Sequence, residues 1–502
     1  MPCGSKNKCM KLTNLLLLAL LLNLLACQTS PSTEDTPNAV ADQWEKPRVP
    51  DWHKNATIYE VNLRHYTEEG TFADFQKELP RLKEMGIDIL WFMPIHEISV
   101  AKRKGELGSP YAVKDYKGVN PDFGTMENFK TLLAAIHEQG MYCIIDWVPN
   151  HTGWDNVWIT EHPNWYTQDE DGNIIDPIDY NTGESWGWTD VADLNYDVPE
   201  MRLAMIDAMA FWVKDIGVDG FRVDVAHGVP IDFWDQASDS LYAIEPLFML
   251  AEAAVPEIVN SGAFIMDYGW EMHHLLNEIA KTQGAAQSGN KQLVSGNLVE
   301  GNAEMAPEDR KTALDIDQLF AKEDTVYTNG YKMQFTSNHD ENSWAGTEFA
   351  RMGDGHLAFA VLTATFGGMP LVYTGQESAM DKQLEFFKKD KIEWGDYKYA
   401  DFYKTLFDLK HRNQALWNGD QGGELIKIPT GKDEYVYAFQ REKNGDKVVA
   451  IINLSSSQQA ITLEGDQFAG AYKEVFKEEE MELSAGQEMT LEPWAYMVYS
   501  TK

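Results

Sequence analysis

The chain has 502 residues, and 44% of them are hydrophobic, a proportion typical of globular proteins and too high for a chain disordered throughout. It carries 79 acidic and 42 basic residues, a formal net charge of -37 at pH 7, which argues against binding to nucleic acid or to anionic lipid surfaces. Because domains commonly contain roughly 100–200 residues, the length allows more than one domain.

Residues 1–27 are predicted to be a signal peptide rather than part of the fold. Basic residues precede an unbroken apolar run at 15–22, which is shorter than the ~20 residues that a membrane-spanning helix needs. The segment ends in Leu-Leu-Ala-Cys at Cys27, which is similar to the lipobox of bacterial lipoproteins, where the cysteine is lipidated. We therefore expect an exported lipoprotein, anchored through Cys27 to the outer membrane and facing the periplasm or the cell surface. Residues 28–51, rich in Ser, Thr, Pro and acidic residues, are predicted to be a flexible tether.

From residue 56 onward, short apolar runs alternate with amphipathic helical stretches. The strand-like runs are 57–61, 87–95, 141–148, 220–225, 246–251, 263–266, 333–336 and 370–373. Helical stretches such as 72–85 and 125–139 lie between most of them. This alternation is typical of a (β/α)8 barrel. The region 269–331 is longer than one helix and its connectors require. Of the 4 cysteines only Cys143 lies beyond the signal segment, so we expect a small core residue and no internal disulfide.

Two segments depart from the barrel pattern. Residues 150–197, rich in Trp, Asp, Asn and Gly, predict a small domain inserted after the third strand, since structureless loops of this length are uncommon. In it, Asp169 to Gly172 faintly resembles a calcium loop, but a hairpin turn is favoured because the ligand spacing is not met. After about residue 418, short alternating runs and the turn Asn444-Gly445 predict a C-terminal antiparallel β-sandwich. The barrel then comprises residues 52–149 and 198–417, and the sandwich residues 418–502.

Charged side chains follow several predicted strands at their carboxyl ends, where barrel enzymes place catalytic groups. In the fourth strand, Arg222 and Asp224 alternate with apolar residues and so share one face. Taken alone, they are better explained as a structural ion pair at a strand end. A fixed arginine is expected to keep Asp224 ionised, as a carboxylate nucleophile must be.

Asp224 and Glu252, at the ends of adjacent strands, fit the cleavage of a glycosidic bond. One carboxylate attacks the anomeric carbon while the other donates a proton to the leaving oxygen and later activates water. The ~4.8 Å between strands suits the ~5–5.5 Å carboxyl separation of retaining enzymes better than the wider gap of inverting ones. Asp340, after the seventh strand, could stabilise the cationic sugar ring. Each residue alone could be a helix cap, but that explanation is poor for the set.

The motifs at these strand ends resemble those of the α-amylase family of glycoside hydrolases. All four short motifs of the family appear in order: 146–151, 220–224, Glu252 after its apolar run, and Asn338-His339-Asp340. The resemblance extends from about residue 52 to the end of the chain. It implies Asp224 as the nucleophile, Glu252 as the general acid/base and Asp340 as the transition-state stabiliser.

The same resemblance implies contacts with the sugar and with a metal. The implied contacts with the sugar at the cleavage point come from Arg222, which orients the nucleophile, and from His151, His339 and Tyr111. Trp186 and Trp188 are either further sugar contacts or core residues of the inserted domain. The implied calcium ligands are Asn150 and Asp193, both hard oxygen donors. Many family members have lysine and then histidine after the nucleophile, whereas this chain departs from that pattern with His227 and Gly228. No organic cofactor is expected.

The predicted function is a retaining, endo-acting α-amylase that hydrolyses α-1,4-glucosidic bonds in starch or maltooligosaccharides. A 4-α-glucanotransferase, a cyclomaltodextrinase or neopullulanase and an α-glucosidase would use the same catalytic set, so these alternatives stay open. A non-catalytic glycan-binding surface protein is less favoured because all three carboxylates are present. The expected partner is an α-glucan, and the sequence predicts no oligomeric state.

Overall fold

The structure is a computed structural model that describes residues 48–179, 182–285, 291–294, 297–300 and 310–502. The predicted signal peptide with Cys27, and the tether as far as residue 47, lie outside the described residues. Within the ranges described, no helix is both long enough and apolar enough to cross a membrane.

Eight parallel strands form a closed barrel in which each strand pairs with its neighbours in chain order. They are β1 (Ile58–Val61), β2 (Ile89–Phe92), β3 (Tyr142–Trp147), β4 (Gly220–Val223), β5 (Phe248–Ala251), β6 (Met266–Tyr268), β7 (Tyr331–Gln334) and β8 (Met369–Tyr373). Pairing of β8 with β1 closes the barrel. The predicted (β/α)8 barrel is confirmed. Closure in chain order also places β1 across the barrel from β5.

Helices surround the barrel and connect its strands. The α-helices are Leu63–Tyr66, Phe72–Phe75, Leu79–Glu84, Met126–Glu138, Val157–Glu161, Pro199–Phe211, Ile231–Tyr242, Pro256–Asn260, Trp270–Thr282, Ala313–Val326, Glu348–Met352, His356–Thr365 and Ala400–Arg412. Shorter helical turns, of three to five residues, are Asp51–Lys54, Gln76–Glu78, Pro163–Trp165, Trp212–Ile216, Ala226–Gly228, Glu341–Ala345, Gly353–Gly355, Gln376–Ser378, Gln414–Leu416 and Gly419–Gln421.

Some predicted elements differ from those observed. The helix predicted over 72–85 is broken by the turn Gln76–Glu78, because Pro80 has no amide hydrogen to continue a regular helix from residue 76. The sixth strand, Met266–Tyr268, lies later in the chain than predicted, and the seventh, Tyr331–Gln334, lies earlier. Their pairing begins with Met266 opposite Tyr331. The region 269–331 contains two of the long helices and the antiparallel strands Lys291–Val294 and Asn297–Glu300.

The insertion after β3 is built around one antiparallel pair of short strands. His151–Gly153 pairs with Val191–Asp193, so both ends of the insertion meet beside the barrel mouth. A second short pair, Glu97–Ile98 with Val113–Asp115, lies in the loop after β2. The stretch 169–172 is a turn between bridge partners Gln168 and Ile174, as the hairpin reading predicted.

The C-terminal strands are antiparallel and form two sheets. They are β9 (Glu424–Lys427), β10 (Val436–Lys443), β11 (Asp446–Asn453), β12 (Gln459–Thr462), β13 (Gly470–Glu474), β14 (Glu480–Leu483), β15 (Glu488–Leu491) and β16 (Tyr496–Ser500). The larger sheet has the order β9-β10-β11-β16-β13-β14, and β12 pairs with β15. The predicted turn joins β10 to β11, with φ of 53° at Asn444 and 87° at Gly445.

The barrel interior is packed with large apolar side chains rather than left as a channel. The cluster that fills it includes Trp91, Ile144, Phe248, Leu250 and Met333. Cys143 is buried and free, which agrees with its predicted core role. Because the interior is filled in this way, its ionisable groups gather at the carboxyl ends of the strands.

Candidate active site

One arginine stands at the centre of the polar residues at the barrel mouth. The side chain of Arg222 is fully buried on β4. Its Nη1 donates to Asp146 Oδ1 at 2.8 Å and to Asp224 Oδ1 at 3.0 Å, and its Nη2 lies 3.0 Å from Glu252 Oε2. Three carboxyl groups from β3, β4 and β5 are therefore held around one guanidinium. Burying these charges is tolerable only because they are paired.

The strand register places Asp224 and Glu252 side by side. Val223 pairs with Ala251, and the next residue on each strand is one of these two acids. The Glu252 amide donates to Val223 O at 2.9 Å, which continues the ladder to the strand ends. Neighbouring strands lie ~4.8 Å apart, so the two carboxyl groups leave the barrel as close neighbours.

The backbone after Asp224 turns sharply to meet Glu252. Val225 has a φ of 43°, a left-handed conformation that is unusual for a β-branched residue and costs roughly 1–3 kcal/mol. In this conformation its N–H donates to Glu252 Oε2 at 2.8 Å. The strained residue thus orients the Glu252 carboxylate beside the guanidinium of Arg222.

The pKa values of Asp224 and Glu252 are shifted in opposite directions. Burial and the neighbouring Glu252 raise the pKa of Asp224 well above its ordinary value, and Arg222 does not offset them. Burial also acts to raise the pKa of Glu252, but Arg222 and the Val225 amide outweigh it and lower that pKa. Arg222 thus acts on the pKa of Asp224 in the predicted direction, but burial and the other carboxylates that share the same cation outweigh it.

His339 connects Asp340 to the first strand of the barrel. Its Nδ1 lies 2.5 Å from Glu60 Oε1, and its Nε2 lies 3.4 Å from Asp340 Oδ2 and 2.7 Å from the Tyr111 hydroxyl. Burial lowers the pKa of His339, but Asp340 and Glu60 prevail and raise it to about 9. The protonated ring can therefore donate from both nitrogens, while the Tyr111 hydroxyl donates to Asp146 Oδ2 at 3.1 Å.

Replacing Glu60 with glutamine is expected to move the alkaline limb of kcat/KM to lower pH by about 1–2 units. Glutamine keeps the hydrogen bond to His339 but removes the anion that raises the pKa of that ring. The wild-type limb should lie near pH 9, where His339 loses its proton. The same raised pKa predicts that its contribution to stability is complete below pH 6.5 and is lost as the pH rises through about 9.

A pH profile of kcat/KM for the two proteins tests this expectation. Activity at pH 6 serves as the control, because His339 is protonated there in the wild-type enzyme. If both proteins have the same alkaline limb, Glu60 does not govern the charge of His339.

The other predicted sugar contacts lie on the side of the inserted domain. His151 is buried, and burial lowers its pKa to about 4, so its ring is neutral. The ring of Trp188 lies edge-on to it at 5.8 Å. Trp186, 44% exposed, stacks on Trp188 at 5.9 Å with an interplanar angle of 22°. Trp186 is thus open to solvent as a sugar contact would be, whereas Trp188 also packs against the small apolar cluster of Ile98, Ala112 and Val191, as a core residue of this region would.

The predicted calcium ligands lie at the base of the insertion. His151 pairs with Asp193 across the short antiparallel strands, and Leu194 donates to the carbonyl of Asn150 at 3.2 Å. A Cβ at Gly228 would stand 2.6 Å from Asn150 Oδ1, so a larger residue there would displace the Asn150 side chain. Among the residues described, no group of three or more His, Cys, Asp or Glu side chains is arranged to hold a metal. Asn150 and Asp193 therefore offer the oxygen donors that calcium prefers, but only a few of its usual 6–8 ligands.

Sequence reasoning overlooked several residues that support the site. Glu60, Trp91 and Tyr268 are all fully buried around Arg222 and His339. Tyr268 accepts a hydrogen bond from Arg222 Nε at 2.9 Å, and Trp91 Nε1 donates to Asp146 Oδ2 at 3.2 Å. Glu60 offered one signal, since it is a lone acid in the apolar first strand. Nothing in the sequence indicated the direction of the two aromatic side chains.

Comparisons with known proteins agree with this geometry. A family model described as "Alpha amylase, catalytic domain" matches residues 53–424, and one described as "Maltogenic Amylase, C-terminal domain" matches residues 428–498. Similar structures include a noncanonic maltogenic alpha-amylase, AmyB, from Thermotoga neapolitana, with a TM-score of 0.74 and 27% identity over 89% of this chain and 98% of that one. An alpha-amylase from Lactobacillus plantarum gives a TM-score of 0.73 at 27% identity, over 89% of this chain and 99% of that one.

Curated relatives include both hydrolases and transferases. Alpha-amylase MalA of Haloarcula japonica is 25% identical over 436 residues, which are 83% of this chain and 58% of that protein. Alpha-amylase 3 of Dictyoglomus thermophilum is 24% identical over 80% of this chain and 85% of that protein. An alpha-1,4-glucan:maltose-1-phosphate maltosyltransferase of Rhodospirillum rubrum is 34% identical over 39% of this chain and 31% of that protein. The chain thus spans less than two thirds of the first and third of these relatives.

Proposed function

This chain belongs to the α-amylase family of glycoside hydrolases, and we propose that it hydrolyses α-1,4-glucosidic bonds in starch or maltooligosaccharides with retention of configuration. The observation that carries the proposal is the placement of Asp224 and Glu252 on one guanidinium at neighbouring strand ends. Such a pair suits a double displacement, in which one carboxylate is the nucleophile and the other the proton donor.

In the first step, an Asp224 oxygen bonds to the anomeric carbon while the bond from that carbon to the glycosidic oxygen breaks. Glu252 gives its proton to the departing oxygen. The double displacement requires Asp224 to be ionised and Glu252 to carry the proton when the sugar is bound. The glycosidic oxygen accepts a hydrogen bond from protonated Glu252 but offers none to ionised Glu252, so bound substrate favours the proton on Glu252.

In the second step, Glu252 takes a proton from water, and the water oxygen replaces Asp224 on the anomeric carbon. Asp340 and His339 hold hydroxyls of the reacting sugar, and the charge of Asp340 stabilises the cationic transition state. Tyr111 and His151 border the same sugar, while Trp188 and Trp186 receive neighbouring units. Endo-attack, which the sequence predicts, further requires a cleft open on both sides of the reacting sugar.

Product analysis on starch, maltotriose, pullulan and cyclodextrin tests the reaction class. We expect release of reducing sugar from starch and maltooligosaccharides. The maltosyltransferase and trehalose synthase relatives raise a second candidate, transfer of the glycosyl group to a sugar acceptor. Products longer than the substrate would favour transfer, and binding to starch without any product would favour a non-catalytic glycan-binding protein.

We propose that a calcium ion at Asn150 and Asp193 stabilises the fold. When bound, the ion would hold the insertion against the barrel, with backbone carbonyls and water completing its coordination. EDTA is then expected to lower the unfolding temperature by a few degrees, and calcium to restore it. In Asn150→Ala the calcium-dependent shift should disappear. A wild-type unfolding temperature that responds to neither EDTA nor calcium would rule out the site.

The anchor also remains a proposal, supported by the Leu-Leu-Ala-Cys sequence that ends at Cys27. A lipidated Cys27 would hold the enzyme at the outer membrane, on its periplasmic face or at the cell surface. Fractionation of cells that produce wild-type protein or Cys27→Ala would distinguish anchored from released protein.

A further inference from the structure

The loops that follow β8, β1 and β2 lie side by side at the barrel mouth, because these strands are neighbours in the closed sheet. They face β5, which carries Glu252, across the barrel. We call Arg64, residues 105–110 and residues 382–389 the closing wall. Its position matters because Glu252 stands on the side of the leaving group, so the wall stands on the opposite side of the reacting sugar.

A buried arginine joins the two long loops of the closing wall. Arg64 is only 7% exposed, and its Nη1 donates to Gly108 O at 3.1 Å and to Phe386 O at 2.8 Å. Hydrogen bonds from a charged donor to carbonyls are stronger than neutral ones, and leaving these groups unpaired in a buried place is costly. The buried Arg64 side chain therefore holds the loops after β2 and β8 together.

Direct contacts between the loops reinforce this bridge. The Leu107 amide donates to Phe387 O at 2.9 Å. Gly105 has a φ of 64°, and a Cβ there would collide with the Cβ of Phe387, so the two chains touch closely. Lys389 Nζ donates to Arg64 O at 2.5 Å, which fixes the far end of the second loop.

The closing wall is also continuous with the segment that carries Asp340. The side chain of Asn342 donates to Lys382 O at 3.0 Å and accepts from the Leu384 amide at 2.9 Å. The wall is therefore bonded to a residue only two positions beyond Asp340, and its residues 105–110 end next to Tyr111. Hydrogen bonds thus join its three parts to one another and to the segment that carries Asp340.

The cavity beneath this wall is too small to hold a glucosyl unit. The cavity between Arg64, Pro110, Ser343 and Phe386 has a volume of about 10 Å³, which is room for about one water molecule. The rings of Phe386 and Tyr111 are nearly parallel, with centroids 6.3 Å apart and an interplanar angle of 8°. The wall thus stands directly behind the tyrosine that borders the reacting sugar.

We propose that the closing wall blocks the non-reducing side of the cleft, so that the enzyme removes a short product of fixed length, glucose or maltose, from non-reducing chain ends. This inference rests on the proposed function, since it takes Glu252 as the proton donor. The leaving group contains the reducing-end part of the chain and lies toward β5. The non-reducing part continues from the opposite side of the sugar, toward the wall. An internal position in a long chain would therefore collide with it.

Two forms of one substrate test the inference: 4-nitrophenyl maltoheptaoside, and the same compound with a 4,6-O-ethylidene block on its non-reducing end. Chromatography of early products should show the free form shortened by one fixed unit, and cleavage of the blocked form slower by at least about 100-fold. Cleavage of both forms at internal bonds and at similar rates would overturn the inference while leaving the proposed function standing. Failure to cleave either form would overturn both.

A variant of the wall adds a second readout. Phe386→Ala removes a ring that faces Tyr111 without touching the carboxylates, and should raise cleavage of the blocked form relative to the free form by about 10-fold. Phe402→Ala, a partly buried phenylalanine on the helix Ala400–Arg412 that packs against Phe476, is the matched control and should leave that ratio unchanged. An unchanged ratio in Phe386→Ala would show that its ring does not limit the cleft.

Discussion

Replacing Asp224 with asparagine is expected to reduce hydrolysis of maltooligosaccharides by at least about 10,000-fold while the protein still folds. An amide cannot form the covalent bond to the anomeric carbon that the first step requires. It keeps the shape of the carboxyl group and can still accept the hydrogen bond from Arg222. The measurement is the initial rate of reducing-sugar release from maltoheptaose.

Two controls separate lost chemistry from lost structure. The thermal unfolding curve should stay cooperative, and calorimetry should still detect binding of maltoheptaose. With α-maltosyl fluoride, azide should rescue Asp224→Ala: its nitrogen bonds to the anomeric carbon as fluoride leaves, giving the β-glycosyl azide. An Asp224→Asn enzyme that retains activity, or rescue that gives the α-azide, would remove Asp224 from the nucleophile's role.

Replacing Glu252 with glutamine is expected to lower the rate on maltooligosaccharides by about 100- to 10,000-fold, the usual contribution of a general acid/base. The effect should depend on the leaving group. A sugar alkoxide needs a proton to depart, whereas fluoride does not, so the first step with α-maltosyl fluoride should be nearly unimpaired.

Burst kinetics with α-maltosyl fluoride measure this difference. The variant should release about one equivalent of fluoride per active site and then turn over slowly, because no base activates water in the second step. Azide should accelerate that second step and yield the α-glycosyl azide. Equal loss on maltoheptaose and on the fluoride would mean that Glu252 is not the proton donor.

The fold was largely predictable because its signals are local in the chain. Apolar runs with polar ends mark the barrel strands, and Gly86 and Gly140 end the helices before β2 and β3. The turn at Asn444-Gly445 was equally clear, since both residues accept positive φ. The prediction of one continuous helix over 72–85 was wrong at Pro80. The apolar residues there have helical spacing, but proline lacks the amide hydrogen that a regular helix needs.

The sequence allowed prediction of those site residues whose role follows from their own type and their position at a strand end. Asp224, Glu252 and Asp340 stand at strand ends, and the closed barrel brings such ends together. Their charge states were not predictable from neighbours in sequence, because Asp146 and Glu252 reach the same Arg222 from other strands. Glu60 and the closing wall likewise act through contacts between segments far apart in the chain.

The central claim, double displacement at Asp224 and Glu252, is tested most directly by the anomeric configuration of the first product. Proton NMR of maltoheptaose digested with enough enzyme to outpace mutarotation would distinguish the two anomers as they form. The account predicts that the α-anomer appears first and that the β-anomer grows only at the rate of mutarotation. Initial formation of the β-anomer would mean a single displacement by water and would contradict it.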